Sequence, residues 1–247
     1  MNTIVLTINW FNFIAGLFHV ALAIVCALLG DVSQTFKMYM PFTTFQNGTQ
    51  EHDVTIKYNG YFPMTVIFVV YFSVTALFHL GNTFLWNDAY HRFLSNRKNP
   101  IRWTEYSITA PLMTSILAFV AGSRNWLFVI AASTLTFASI SVGFVLDELR
   151  KYSFFVLGMI PFLVEFSLII TSLYLTTSCY PSYLPITVFI EFGLWLLFPF
   201  VSFLELAGIN YKIGELLFIV LSFVSKSVLA IILISENVLK NGITGTC

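Results

Sequence analysis

Charge is what this sequence has least of. Only 10% of its 247 residues are Asp, Glu, Lys or Arg, and the mean hydropathy is +0.83. A soluble domain carries about a quarter charged residues to solvate its surface, so a water-soluble globule is excluded. The little charge present is balanced, twelve basic residues against twelve acidic. That balance leaves no basic field for a nucleic-acid partner. Cysteine is scarce as well: Cys26, Cys179 and Cys247 have neither metal-ligand nor disulfide-framework spacing. A cleavable leader is not apparent, because the first apolar run lacks a basic n-region and is too long for an h-region. The first helix therefore reads as its own insertion signal. Long linkers and low-complexity tracts are missing too, so residues 1–247 read as one domain.

In their place the sequence has long apolar runs and 27 phenylalanines. A span needs about 20 mostly apolar residues to cross the hydrocarbon core. Seven segments qualify, at 4–29, 60–86, 101–122, 126–146, 153–177, 184–207 and 213–238. Backbone polar groups in lipid must be satisfied within the segment, so these are helices and the fold class is an all-α, seven-helix membrane protein. Two connections are long. Residues 30–59 are polar with alternating stretches around Ile56 and Tyr58, the pattern of a β-hairpin, and 87–100 form a basic loop containing Arg92, Arg97 and Lys98. One face of the bundle gathers seven cations (Arg92, Arg97, Lys98, Arg102, Arg150, Lys151, Lys212) and the other four (Lys37, Lys57, Arg124, Lys240). This bias places the N-terminus in the cytoplasm and the C-terminus outside. The Asn47-Gly48-Thr49 sequon would then face outward, although a chance match is the simpler reading.

Lys226 stands near the middle of the last span, in GELLFIVLSFVSKSVLAIILISE. Every other Lys or Arg can be placed at or near a boundary, whereas a centred Lys costs roughly 2.5–3.5 kcal/mol on insertion scales. Three roles compete: a covalent link to an aldehyde chromophore, a structural ion pair, or a place on an ion pathway. A desolvated amine is a good nucleophile toward an aldehyde. Ser222, four residues earlier, shares its helix face. Glu105 lies one to two turns inside the third span, with Arg102 one turn before it. A protonated Schiff base in a dry site requires such an anion. Seven spans, a mid-helix Lys in the last and a Glu early in the third favour the chromophore reading.

At this point the residues resemble those of the heliorhodopsins, a divergent branch of retinal proteins. The resemblance spans the chain through Phe18-His19, Leu77-Phe78-His79, Arg102-Trp103-Thr104-Glu105-Tyr106-Ser107 and Ser222-Phe223-Val224-Ser225-Lys226. Trp195-Leu196-Leu197-Phe198-Pro199 is similar to the Trp-x-x-Tyr-Pro pattern of microbial rhodopsins. The resemblance implies a rhodopsin-like bundle, an all-trans retinal cofactor, a homodimer, an inside N-terminus and a β-structured 1–2 loop outside. It implies Lys226 as the Schiff-base lysine, Glu105 as counterion, and His19 and His79 in a polar cavity near them. Ser222, Trp195, Trp103, Tyr106, Thr75 and Pro199 complete the expected cofactor surroundings. Thr75 stands where the family often has Ser, which keeps a hydroxyl. Ser222 holds the position at which proton pumps carry a second acid, so a single carboxylate must balance the Schiff base.

The remaining buried polar residues have plain readings beside functional ones. His19 and His79 are packing residues or acceptors of the Schiff-base proton. Glu191 precedes Trp195 by four residues and so shares the face expected to touch retinal, on the outer side opposite Glu105. It is either a proton relay or a neutral acid bonded to a neighbouring helix. Glu165, near the centre of the fifth span, is a packing residue or reaches the ring end of retinal. Pro111, Pro161 and Pro199 are expected to kink their spans. The function that follows is that of a non-enzymatic, light-absorbing membrane protein, either a sensor acting on a partner without transport or a light-activated proton transporter.

Overall fold

The computed structural model describes residues 3–46, 49–175 and 181–241. Cys179, Cys247 and the Asn47-Gly48 part of the sequon lie outside them. Seven long helices form the bundle: α1 (Thr3–Leu29), α2 (Met64–Leu80), α4 (Pro100–Val120), α5 (Trp126–Leu149), α6 (Tyr152–Leu175), α7 (Tyr183–Leu206) and α8 (Tyr211–Ser235). Between them lie a hairpin of β1 (Phe36–Gln46) and β2 (Thr49–Phe62), a short helix α3 (Asn87–Ser95) and a terminal turn α9 (Val238–Asn241). Asparagines start three of the long helices. The side chains of Asn99, Asn125 and Asn210 accept from the backbone N–H of Arg102 (3.1 Å), Leu127 (2.9 Å) and Lys212 (2.9 Å), and Pro100 occupies the first turn of α4.

The helices close a ring in which α1 packs on α2 and α8, α2 on α4, α4 on α5, α5 on α6, α6 on α7, and α7 on α8. Six of them are long and apolar enough to cross a membrane. The exception, α4, is also the most enclosed, buried without interruption from Met113 to Ala121. A helix with protein on every side has no need of a lipid-compatible surface, which frees α4 to carry Arg102, Glu105, Thr109 and Thr114. The outer helices do the reverse: Trp10, Leu28, Val156 and Ile160 are exposed large apolar residues.

The expected hairpin is present, and it takes residues from the second span. Phe36 pairs with Phe62, so residues 60–62 are strand and α2 begins only at Met64. Phe62 is buried and stacks on Phe119 at 4.6 Å, while Tyr39 N–H donates to the Arg124 carbonyl at 2.7 Å. These contacts tie the hairpin to the bundle, so strand pairing outcompetes helix there. The expected 87–100 loop is also corrected. A π-helical turn, Gly81–Leu85, ends the second span, and α3 occupies Asn87–Ser95. The Trp86 side chain folds back over Gly81, where a Cβ would overlap its indole, and Trp86 Nε1–H donates to Asn82 Oδ1 at 2.8 Å. Only glycine leaves room for that return.

Candidate functional site

The site is assembled by faces of α4 and α8. On α8, Glu215, Ser222 and Lys226 recur at helical spacing, and on α4 so do Arg102, Glu105, Thr109 and Met113. The two stripes meet inside the ring. Lys226 Nζ lies 2.6 Å from Glu105 Oε1, with both residues about 95% buried. The ammonium also donates to Thr75 Oγ1 at 3.0 Å and Thr109 Oγ1 at 3.4 Å. Tyr71 and Tyr106 turn their ring faces to Nζ, each at 5.6 Å from the centroid. A buried lysine is thus provided with one carboxylate, hydroxyl acceptors and two aromatic faces, and each compensates part of its lost hydration.

Lys226 opens onto a cavity lined by α4, α5, α6, α7 and α8. Of the expected residues, Trp103, Tyr106, Trp195, Pro199, Ser222 and Glu165 line it together with Lys226. Most of the wall is apolar, including Met113, Phe162 and Phe198. Gly143 of α5 is the close-approach point: a Cβ there would stand 2.5 Å from Trp103 Cζ3. Trp103 Nε1–H donates to Asp147 Oδ2 at 3.0 Å, which fixes the indole as a wall.

Ser222 is in the wall but does not bond Lys226; Thr75 and Thr109 take that part. Glu191 is fully buried and stands behind the wall. Ser225 Oγ donates to Glu191 Oε2 at 2.9 Å and accepts from Trp195 Nε1 at 3.1 Å. Since Ser225 adjoins Lys226, this one hydrogen bond ties Glu191 to the turn of helix that carries the lysine. His19 and His79 come together as expected, their rings stacked at 5.7 Å, but outside the cavity wall. His79 Nδ1 is 2.8 Å from Asn12 Oδ1, and neither histidine bonds Lys226 or Glu105. Glu165 Oε1 accepts from Thr114 Oγ1 at 3.0 Å.

Sequence reasoning missed a charged cluster at the α3 end of the bundle. Arg102 is not a boundary residue but is 4% exposed. Its Nη1 lies 2.8 Å from Glu215 Oε2, and its Nη2 lies 3.8 Å from Asp147 and 4.0 Å from Glu205. Tyr211 OH donates to Asp147 Oδ2 at 2.8 Å, Tyr90 OH to Glu215 Oε1 at 2.7 Å, and the guanidinium sits 3.8 Å over the Phe218 ring. Asp147, Glu205 and Glu215 lie near span ends, where acidic residues pass as solvated. The usable signal was periodicity: Glu215 precedes Ser222 by seven residues and Lys226 by eleven, which puts it on their face.

The Heliorhodopsin family model matches residues 8–237 of the chain. Among curated protein sequences nothing matches. Solved structures are similar in fold. The thermophilic rhodopsin from Rubrobacter xylanophilus has a TM-score of 0.68 at 16% identity, covering 96% of this chain and 98% of that one. Cyanorhodopsin N4075R from Tolypothrix sp. NIES-4075 has a TM-score of 0.67 at 12% identity, covering 99% and 100%.

Proposed function

The chain belongs to the heliorhodopsin family, and from that premise we propose that this integral, multi-pass, light-sensing protein carries all-trans retinal on Lys226 as a protonated Schiff base with Glu105 as counterion. The observation that carries the proposal is the 2.6 Å Lys226–Glu105 contact at the wall of a largely apolar cavity. The residues fit the group: the apolar wall of the cavity suits a polyene, and the amine that lines it is open to an entering aldehyde. When bound, retinal supplies visible absorption and light-driven isomerisation. Every other part of the device belongs to the chain. Glu105 holds the proton on the Lys226 nitrogen by charge, Thr75 and Thr109 offer it neutral acceptors, and Trp103 and Trp195 define the space in which the ligand turns. Displacing the nitrogen from Glu105 costs electrostatic energy, which the absorbed photon supplies and which relaxation into a changed conformation recovers.

Glu105→Gln is expected to shift the visible band to the red. Removing the anion withdraws stabilisation of the positive charge at the nitrogen in the ground state. An unshifted band would remove Glu105 from the counterion role.

A second reading, light-activated proton transport, is favoured by one observation, the hydrogen bond between buried Glu191 and Ser225, the residue before Lys226. Glu105 and Glu191 then serve the nitrogen from different sides. In this reading, illuminated cells should show a current that depends on voltage and pH gradient, and Glu191→Gln should abolish it with the pigment intact. A pigment without photocurrent leaves the first reading, a sensor that acts through a partner. With buried Arg102 set aside, the six cations Arg92, Arg97, Lys98, Arg150, Lys151 and Lys212 at the α3 end support an inside N-terminus. A homodimer belongs to the same proposal, supported by the exposed Ile56, Tyr58 and Tyr61 of the hairpin, which lie beyond the spans.

A further inference from the structure

Apart from hydroxyls such as Ser139, Ser202, Ser222 and Ser225, the cavity wall carries an amine and a carboxyl. The amine is Lys226, on α8. The carboxyl is on α6, which packs between α5 and α7, whereas α8 packs between α7 and α1. There Glu165 and Thr136 both enter the wall, and Glu165 has no exposed surface. A chain of hydroxyls backs them: Thr114 Oγ1 is 3.0 Å from Glu165 Oε1 and 2.6 Å from Thr136 Oγ1. Thr114 lies five residues beyond Thr109, the neighbour of Nζ, or about 7.5 Å along α4. A long ligand tied to Lys226 therefore crosses the bundle with its far end toward α5 and α6.

The donors at this place are too few. Two threonine hydroxyl protons face the carbonyls of Ala110 (3.1 Å) and Ala132 (3.2 Å), each other, and Glu165 Oε1. Glu165 Oε2 is buried without a partner, and no cation among the described residues pairs with the carboxyl. Leaving such an oxygen unsatisfied costs about 1–3 kcal/mol, so a polar group is called for next to an otherwise apolar ring pocket.

We propose that this pocket recognises a hydroxyl on the ring end of the chromophore, so that the chain takes a ring-hydroxylated retinal in preference to retinal itself. The inference rests on the retinal reading. A hydroxyl is the group that suits the place, because it both donates and accepts. It meets Oε2 whether the carboxyl holds a proton or not, and Thr136 stands beside it as a second contact. A hydrocarbon ring at the same position would seal the oxygen off.

The test is competitive loading. The full chain, expressed without chromophore, is given equimolar all-trans retinal and all-trans 3-hydroxyretinal, and in a second arm 4-hydroxyretinal. The incorporated chromophore is then extracted and quantified by chromatography. One buried hydrogen bond predicts about tenfold enrichment of one hydroxylated form. Glu165→Leu should bring the ratio to about one, and Thr136→Val is the second variant if Glu165→Leu does not fold. Equal incorporation by the parent chain overturns the proposal and assigns Oε2 to a water. Enrichment that survives both substitutions overturns it as well. Absence of a visible band with every aldehyde is a different failure, that of the retinal reading.

Discussion

Lys226→Ala should yield a colourless protein: supplied with all-trans retinal, it forms none of the visible band that the parent chain forms. The amine is the nucleophile for the aldehyde, and no other lysine is near the cavity wall. The substitution also strands Glu105. Losing one partner of a buried pair costs about 3–5 kcal/mol, so a colourless product by itself would not separate lost attachment from lost fold. Two companions make the separation. Lys226→Ala with Glu105→Gln removes the stranded charge and should restore thermal stability without colour. The cavity should then accept a preformed imine of retinal with a short alkylamine, which replaces the missing side chain, and part of the visible band should return. A visible band in Lys226→Ala with free retinal would end the covalent assignment. A stable double variant that refuses the preformed imine would mean that the cavity is not the chromophore's.

The strengths and gaps of the sequence reading have a common physical cause. A charge in the middle of an apolar span is costly, so Lys226 and its proposed counterion Glu105 announced themselves, and the structure brings the two side chains to 2.6 Å. Thr75 and the aromatic wall followed from the resemblance. Ser225, Thr109 and Tyr71 were not legible, because hydroxyls and phenols are cheap in membrane helices and attract notice only when a neighbour is seen to use them. The resemblance set His19 and His79 near Lys226, but their stacking on each other and the link of His79 to Asn12 depend on how α1 and α2 rotate against each other, which periodicity does not specify. The second span was mis-bounded at its start for a tertiary reason, whereas its end at Leu85 lies one residue from the expected one. The hairpin captured residues 60–62 through Phe62 on Phe119, and the Gly81 turn made room for Trp86. Asp147, Glu205 and Glu215 were hidden by position, since a carboxylate near a span end is usually solvated.

Those three carboxylates set up the second large effect. Arg102→Met should lower the stability of the protein by about 3–5 kcal/mol, seen as a steep fall in melting temperature in detergent. The methionine fills a similar length beside Phe218 but leaves Glu215, Asp147 and Glu205 around a neutral side chain. Tyr211 and Tyr90 donate to Asp147 and Glu215 and so soften the loss without balancing the charge. Arg102→Lys should recover only part. A lysine has one nitrogen, whereas the guanidinium reaches Glu215 through Nη1 and the Asp147 and Glu205 side through Nη2, lying flat over Phe218 at 3.8 Å. The decisive measurement is a double-mutant cycle between Arg102→Met and Glu215→Gln. Because the 2.8 Å contact is the shortest that Arg102 makes, the two losses should fall short of additivity by about 1–3 kcal/mol. Strict additivity would place the weight of Arg102 on Asp147 and Glu205 instead. An Arg102→Met protein as stable as its parent would show that the cluster is no structural support for α4. The face that holds Glu105 against Lys226 would then owe its position to the enclosed stretch from Met113 to Ala121 alone.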